Sequence, residues 1–290
     1  MTAQLYTLGR LQTNSTVLQI MNIAVNDGVQ VTPSAHSGLQ VADGVAATGA
    51  EAPRITGQAY WGEAHALFGL SPLSITAMNL FLGIESGGVI GNGDRYSMAS
   101  GATAIGYITG MSVSQDGIAM ADFEIVLLSA DGTADPLTKT ANEAMPAVSQ
   151  PLRYTVGGLS INGSGIDGVT GISMTTGFSA TTRRSDGDFY PTGAVIGGGA
   201  HTISIDHTDP VAVRDVLGSR GVDVGSAAVV TLQSINNVTG VVGGTTQTLT
   251  IANGYAAPGG MNTEHVGIAS HRLTIHAISA DGTTPGIVVA

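Results

Sequence analysis

The side chains that could do chemistry are seven histidines and 21 acidic residues, with no cysteine. His201 and His207 are an even number of residues apart in an alternating segment, so they share one face of a strand, and Asp209 follows closely. Two imidazoles and a carboxylate are the start of a transition-metal site. Polar positions on a solvated or subunit-facing strand give the same pattern without a metal. Asp186-Gly187-Asp188 offers carboxylates to a hard cation, but such pairs are also ordinary turn residues. Arg183-Arg184 is the one adjacent basic pair and could hold a phosphate. With Asp186 and Asp188 beside it, it reads better as a salt-bridged loop or a contact between subunits. Gly163-Ser-Gly-Ile-Asp-Gly168 fits the dinucleotide pattern, yet Val169–Met174 after it reads as strand where that motif needs a helix. A hairpin turn is the better reading. Asp122, Glu124, Asp206 and Asp209 are candidates for acid–base work only if the fold brings them together. There is no G-x-S-x-G, Walker loop, H-E-x-x-H or EF-hand loop. The sequence therefore predicts no catalytic residue, no metal and no cofactor.

The elements that would carry these residues are strands. The 290 residues hold 42 glycines, 43% hydrophobic and only 11% charged residues, with net charge −11. The chain is too apolar for disorder and too acidic for a free nucleic-acid binder. Without Cys there is no disulfide scaffold, thiolate zinc site or cysteine nucleophile. No basic start precedes an apolar run at the N-terminus, so the expected place of synthesis and folding is the cytoplasm. Ala66–Ile84 is uncharged, but Pro72 interrupts it, and a buried strand–turn–helix is preferred to a membrane span.

Ile20–Val25, Asn26-Asp27-Gly28 and Val29–Thr32 read as a hairpin, as do Thr246–Ile251 and the strand after Asn253-Gly254. Leu273, Ile275 and Ala277 alternate with Arg272, Thr274 and His276 as in a strand with one buried face. Two helices are predicted. One has Asp209 as N-cap, Pro210 first and Gly218 at its end, with Val211, Val213 and Leu217 inward; the other has Ser71 as cap, Pro72 first and Gly83 at its end.

Phe123–Thr133 and Leu273–Thr283 both end in Ser-Ala-Asp-Gly-Thr, and both are soon followed by Pro, at 136 and 285. This repeat predicts two copies of one β-rich unit, 1–150 and 151–290, with Pro146 and Pro151 at the join. The fold class expected is mainly β: two tandem sandwich or barrel-like domains, each with one short flanking helix.

The order of features resembles the major tail tube proteins of long-tailed, non-contractile bacteriophages, in the form with two tandem tube domains. The resemblance rests on the hairpin region Tyr154–Met174, a long loop Thr181–Gly199, the strand His201–Asp206, the Asp209-Pro210 helix and late strands ending at Asp281-Gly282. The first half shows a blurred version. It covers most of the chain by architecture and little by motif. It implies a structural protein without catalytic residues, whose sheets pair with neighbouring copies to form stacked rings around a DNA channel. Three copies would give a pseudo-six-fold ring. The resemblance also implies tail terminator, tape measure and distal tail proteins as partners, location in the virion tail, no membrane, and DNA passing without specific binding. Thr181, Arg183, Arg184, Asp186, Asp188 and Tyr190 are then the expected inter-subunit loop. Another phage structural protein (capsid decoration or minor tail protein) or a secreted β-sandwich binding module are the alternatives. The module should expose an aromatic platform, for which Trp61 is the one tryptophan.

Overall fold

The computed structural model describes residues 8–13, 16–26, 29–34, 44–83, 85–86, 89–148, 150, 152–218, 220–225, 227–236, 239–262 and 270–290. The first half contains β1 (Leu8–Thr13), β2 (Thr16–Asn26), β3 (Val29–Ser34), β4 (Gly44–Ala50), β5 (Arg54–Tyr60), α1 (Trp61–Phe68), β6 (Leu73–Ile75), β7 (Met78–Gly83), β8 (Glu85–Ser86), β9 (Val89–Ile90), β10 (Gly93–Met98), β11 (Thr103–Ser114), β12 (Met120–Leu128) and β13 (Leu137–Glu143). The second contains β14 (Arg153–Ile161), β15 (Ser164–Ile166), β16 (Val169–Thr175), β17 (Ser179–Arg183), β18 (Gly193–Gly197), β19 (Thr202–His207), α2 (Pro210–Leu217), β20 (Val222–Val224), β21 (Ala228–Ile235), β22 (Val242–Ile251), β23 (Gly254–Asn262), β24 (Ser270–Ala277) and β25 (Ile287–Val289). The fold is mainly β and every strand pairing is antiparallel.

The pairings of the first half recur in the second. β5-β12-β11-β6 is matched by β19-β24-β23-β20, and β1-β7-β10-β13 by β14-β21-β22-β25. A hairpin sits between β2 and β5 (β3-β4) and another between β16 and β19 (β17-β18). The register also repeats. β11 is bulged between Ile108 and Gly110, and β23 between Pro258 and Met261. Each half is therefore two packed layers with one helix. In the first half the corner between layers is continuous: Ile20 pairs with Gly9 on one side and Ala59 on the other. In the second it is broken at Gly168, whose φ of +75° suits a residue without a Cβ.

Residues facing inward alternate along the strands, as in β19, where Ile203, Ile205 and His207 are buried between half-exposed neighbours. α1 buries Trp61, Ala64 and Phe68, and Phe68 stacks on Phe123 at 5.4 Å between ring centroids. Trp61 is fully buried and donates Nε1–H to Gln247 Oε1 at 2.8 Å, so it forms no exposed aromatic platform. α2 is capped as its sequence requires: Asp209 Oδ1 accepts from the backbone N–H groups of Val211 and Ala212, both at 3.0 Å. Its inward residues are Val213 and Leu217 with Val216 beside them, whereas Val211 is 65% exposed.

Several local expectations are corrected. Ser71–Gly83 is not a helix; Ser71 and Gly83 cap nothing, and the segment forms β6 and β7. Met78, Leu80, Phe81 and Leu82 are all buried, and an apolar run buried on both faces reads alike as helix or strand. The helix lies just upstream, at Trp61–Phe68. β2 and β3 do not form a hairpin: β3 pairs with β4, while β2 pairs with β1 and β5. The expected turn at Asp27-Gly28 lies outside the described residues. Nor do β22 and β23 pair; at Asn253 the chain passes from one layer to the other. Gly163–Gly168 does form the expected hairpin. Asn162 and Gly163 turn with φ of +51° and +83°, and β14 pairs with β15 across them.

Candidate assembly surface on the joined sheet

The two halves are joined edge to edge. The end of β11 pairs with β16, Gly110 opposite Thr175 through Ser114 opposite Gly171. One sheet therefore runs β2-β5-β12-β11-β16-β19-β24-β23, four strands from each half. Its inner face carries Ile55, Phe123, Met111, Val113, Ile172, Met174, Ile205 and Leu273, all buried.

Its outer face is polar. Arg54, Thr56, Gln58, Asp122 and Glu124 lie in cross-strand register on β5 and β12. Ser112 and Ser114 follow on β11, Ser173 and Thr175 on β16, Ser204 and Asp206 on β19, and Arg272 and Thr274 on β24. The charges on this face are largely paired within it. Arg54 forms an ion pair with Glu124. Arg272 holds Asp206 through Nε–Oδ1 at 2.8 Å and Nη2–Oδ2 at 3.1 Å. Satisfied locally, these guanidinium groups offer little to a phosphate backbone.

At one end of this face, over the first half, the β17-β18 hairpin is laid across it. Phe178, Ala180, Ala194 and Ile196 pack on Tyr107, Val126 and Leu128. Tyr107 and Phe178 meet edge to face at 6.1 Å. The loop that connects β17 to β18 is pinned to the Ser-Ala-Asp-Gly-Thr turn: Gly132 O accepts from Phe189 N at 2.7 Å and Tyr190 N at 2.8 Å, and Ser129 N donates to Pro191 O at 2.9 Å. The turn itself is one motif made twice. Asp131 Oδ1 accepts from Thr133 N and Ala134 N, both at 2.9 Å; Asp281 Oδ1 accepts from Thr283 N at 2.8 Å and Thr284 N at 2.7 Å. These backbone donors hold Asp131 down to about 2 and push Asp281 lower still. Gly132 and Gly282 take φ of +76° and +73°.

The sequence-predicted loop residues fall in this region. Thr181 and Arg183 belong to β17, so Thr181–Gly199 is largely a hairpin and not a long irregular loop. Arg184 lies against Gly49, where a Cβ would collide with its guanidinium. Asp188 Oδ2 accepts from Ser185 N at 3.1 Å, its side chain covers Gly132, and Tyr190 packs on Phe189 at 5.0 Å. These contacts lie within one chain. Among the described residues, ion pairs join Arg54–Glu124, Arg95–Glu143, Lys139–Asp94 and Arg272–Asp206, and none involves Arg183 or Arg184.

The chemical candidates are scattered. His201 and His207 do share a face, but it is the buried one, and six strand residues separate them by about 20 Å. His201 packs edge-on against Phe178 at 5.6 Å, and His207 stacks on His271 at 5.6 Å. Burial lowers the affinity of both for a proton, and for His207 the neighbouring His271 adds to it. Asp122, Glu124 and Asp206 share the outer face, yet β12 and β19 are three strand spacings apart, about 14 Å, and Asp209 is committed to capping α2. Among the described residues no cluster of three or more His, Asp or Glu is arranged to hold a metal. No helix among them is long and apolar enough to cross a membrane. No known protein family matches this sequence, and no curated protein is similar to it.

Proposed function

We propose that the chain is a structural subunit that assembles with copies of itself, the major tail tube protein of a long-tailed bacteriophage. One observation carries the reading: the β11–β16 join unites two repeated four-stranded sheets, and the same two kinds of edge recur at the ends of the joined sheet. β23 beyond its bulge is the counterpart of β11 beyond its own, and β2 beyond Ile20 is the counterpart of β16. Among the described residues, no strand pairs with the outer edge of β23 past Ala256. None pairs with the β1-side edge of β2 from Met21 to Val25. Repeating the internal join between chains is a heterologous contact, which closes into a ring when the rotation allows. Three chains would close a 24-stranded barrel with pseudo-six-fold symmetry, its polar outer sheet face lining the channel.

That lining suits the passage of DNA. It is rich in Ser and Thr, its two arginines are tied to carboxylates, and it offers no cationic track to retain phosphates. Little charge need be desolvated as edges meet, because the internal join is built of Gly, Ser, Thr, Met, Val and Ile. Electron microscopy of the purified protein at rising concentration tests the reading. Rings about 100 Å across, a size set by six small domains around a duplex, or stacked hollow tubes are expected. A persistent monomer, above all one that binds glycans, overturns it.

A further inference from the structure

The second half carries an apolar patch at the position the first half keeps covered. The β17-β18 hairpin buries Val126 to 0% and Leu128 to 5% exposure. The residues 150 positions later are His276, which is exposed, and Ile278, which is 57% exposed. Register extends the match: Ile105 stands opposite Val126, and Tyr255, 38% exposed, stands opposite His276. The turns tell the same story. A Cβ on Gly132 would run into Asp188, whereas one on Gly282 meets nothing within 4 Å. One sheet end and its turn thus exist twice, covered in the first half and open in the second.

From this we infer that the β3-β4 hairpin of a second copy of the chain docks on Tyr255, His276 and Ile278. The inference rests on the self-assembly reading and specifies the contact. The occupant follows from the repeat. β3-β4 has the same place in the first half that β17-β18 has in the second, directly after the strand that makes the edge-to-edge join. A chain whose β2 extends the β23 edge of its neighbour therefore delivers β3-β4 to that neighbour's open sheet end. The hairpin chemistry also fits. Ala180 stands opposite Ile196 and Thr182 opposite Ala194 in β17-β18. In β3-β4, Val31 stands opposite Ala47 and Pro33 opposite Val45. At these register positions the sequence of β3-β4 is apolar, as it is at the positions by which β17-β18 docks.

The absence of cysteine makes the test direct. Ala47→Cys and Ile278→Cys are made in separate full-length chains, mixed, and treated with a short bismaleimide. A covalent heterodimer from the mixture, and none from either variant alone, is expected; the double variant should give a ladder ending at the closed ring. Ile278→Asp should leave the melting temperature of the monomer unchanged, because the side chain is exposed. It should raise the concentration needed for assembly about tenfold or more, as for a buried interface anchor. Rings or tubes that form without the cross-link, or that form normally with Ile278→Asp, overturn the hairpin contact and leave the tube reading standing. A chain that stays monomeric at every concentration overturns both.

Discussion

Tyr107, directly opposite Glu124 on the neighbouring strand, donates its phenolic hydrogen to Glu124 Oε2 at 2.9 Å, while Arg54, diagonal to Glu124 on the other neighbour, binds Oε1. One carboxylate thus satisfies a buried hydroxyl and a guanidinium beneath the docked β17-β18 hairpin. Glu124→Ala leaves both without their acceptor and should cost about 1–3 kcal/mol. Tyr107→Phe, which leaves the ion pair intact, should cost less. Urea unfolding curves with equal slopes would check both values.

The same pair sets an alkaline limit. Burial first, and then the hydrogen bond to and charge of Glu124, push the Tyr107 phenol well above its ordinary value. The folded chain keeps this proton where the unfolded chain loses it. Stability from this group is present below about pH 10, the ordinary tyrosine value, and is lost as pH rises beyond it. Thermal melts between pH 9 and 11 should show a steeper decline for the native chain than for Tyr107→Phe.

On the acid side the histidines act first. His207 is depressed by burial and by His271, so the folded state resists a proton that the unfolded state accepts. Stability is full above about pH 6.5, the ordinary histidine value, and falls as pH drops through it. Replacing His207 with Gln should flatten the melting temperature between pH 7.5 and 5.5. A second decline belongs to Asp131 and Asp281, whose depressed values place it below about pH 4.

The corrected helix position gives a paired test. Asp209→Ala should cost about 1 kcal/mol through the lost cap of α2. Ser71→Ala, in a segment that starts no helix, should stay within about 0.5 kcal/mol. Equal losses measured by chemical denaturation would contradict this placement of the helices.

Gly57 and Gly106 test the packing around α1. A Cβ at Gly57 would lie 2.7 Å from Ile20 Cγ2 and 3.1 Å from Phe123 Cζ; one at Gly106 would lie 2.7 Å from Phe68 Cε1. Gly57→Ala and Gly106→Ala should each destabilise by about 1–3 kcal/mol. Gly158→Ala, where a Cβ meets nothing within 4 Å, supplies the control.

Strand character, the Asp209 cap, the Asn162-Gly163 hairpin and the Ser-Ala-Asp-Gly-Thr repeat were legible because each has a local cause in side-chain period or turn chemistry. α1 was not. Its N-cap is Tyr60 with no side-chain hydrogen bond, and Trp61 lies buried by tertiary packing that no local signal announces. The Ser71-Pro72 cap signature and Gly83 mark no helix, because the segment is buried as strand. Gly69, not Gly83, matches Gly218: both end a helix at nearly the same φ and ψ, and both donate N–H to the residue four back at 2.8 Å. Strand partners were missed where the chain changes layer, as between β22 and β23, because a turn sequence reports a reversal and not which sheet receives the next strand. Asp122 and Glu124 share a face through period two along one strand, but whether Asp206 joins them and at what distance depends on sheet order, which no local pattern reports.

The join between β11 and β16 also has a kinetic meaning. Two edges on one chain meet at an effective concentration set by the short segment between β13 and β14, typically near millimolar for a short tether, whatever the concentration of the protein. In the proposed three-chain ring, half of the junctions would then form during folding, leaving only three to be made by collision. Covalent linkage also lets the two repeats diverge without mispairing. The cation lies on β5 and the anion on β12 in the first half, whereas β19 carries the anion and β24 the cation in the second. Two such unlike walls, held in fixed alternation, would give the proposed ring a chemical pattern that six identical units could not carry.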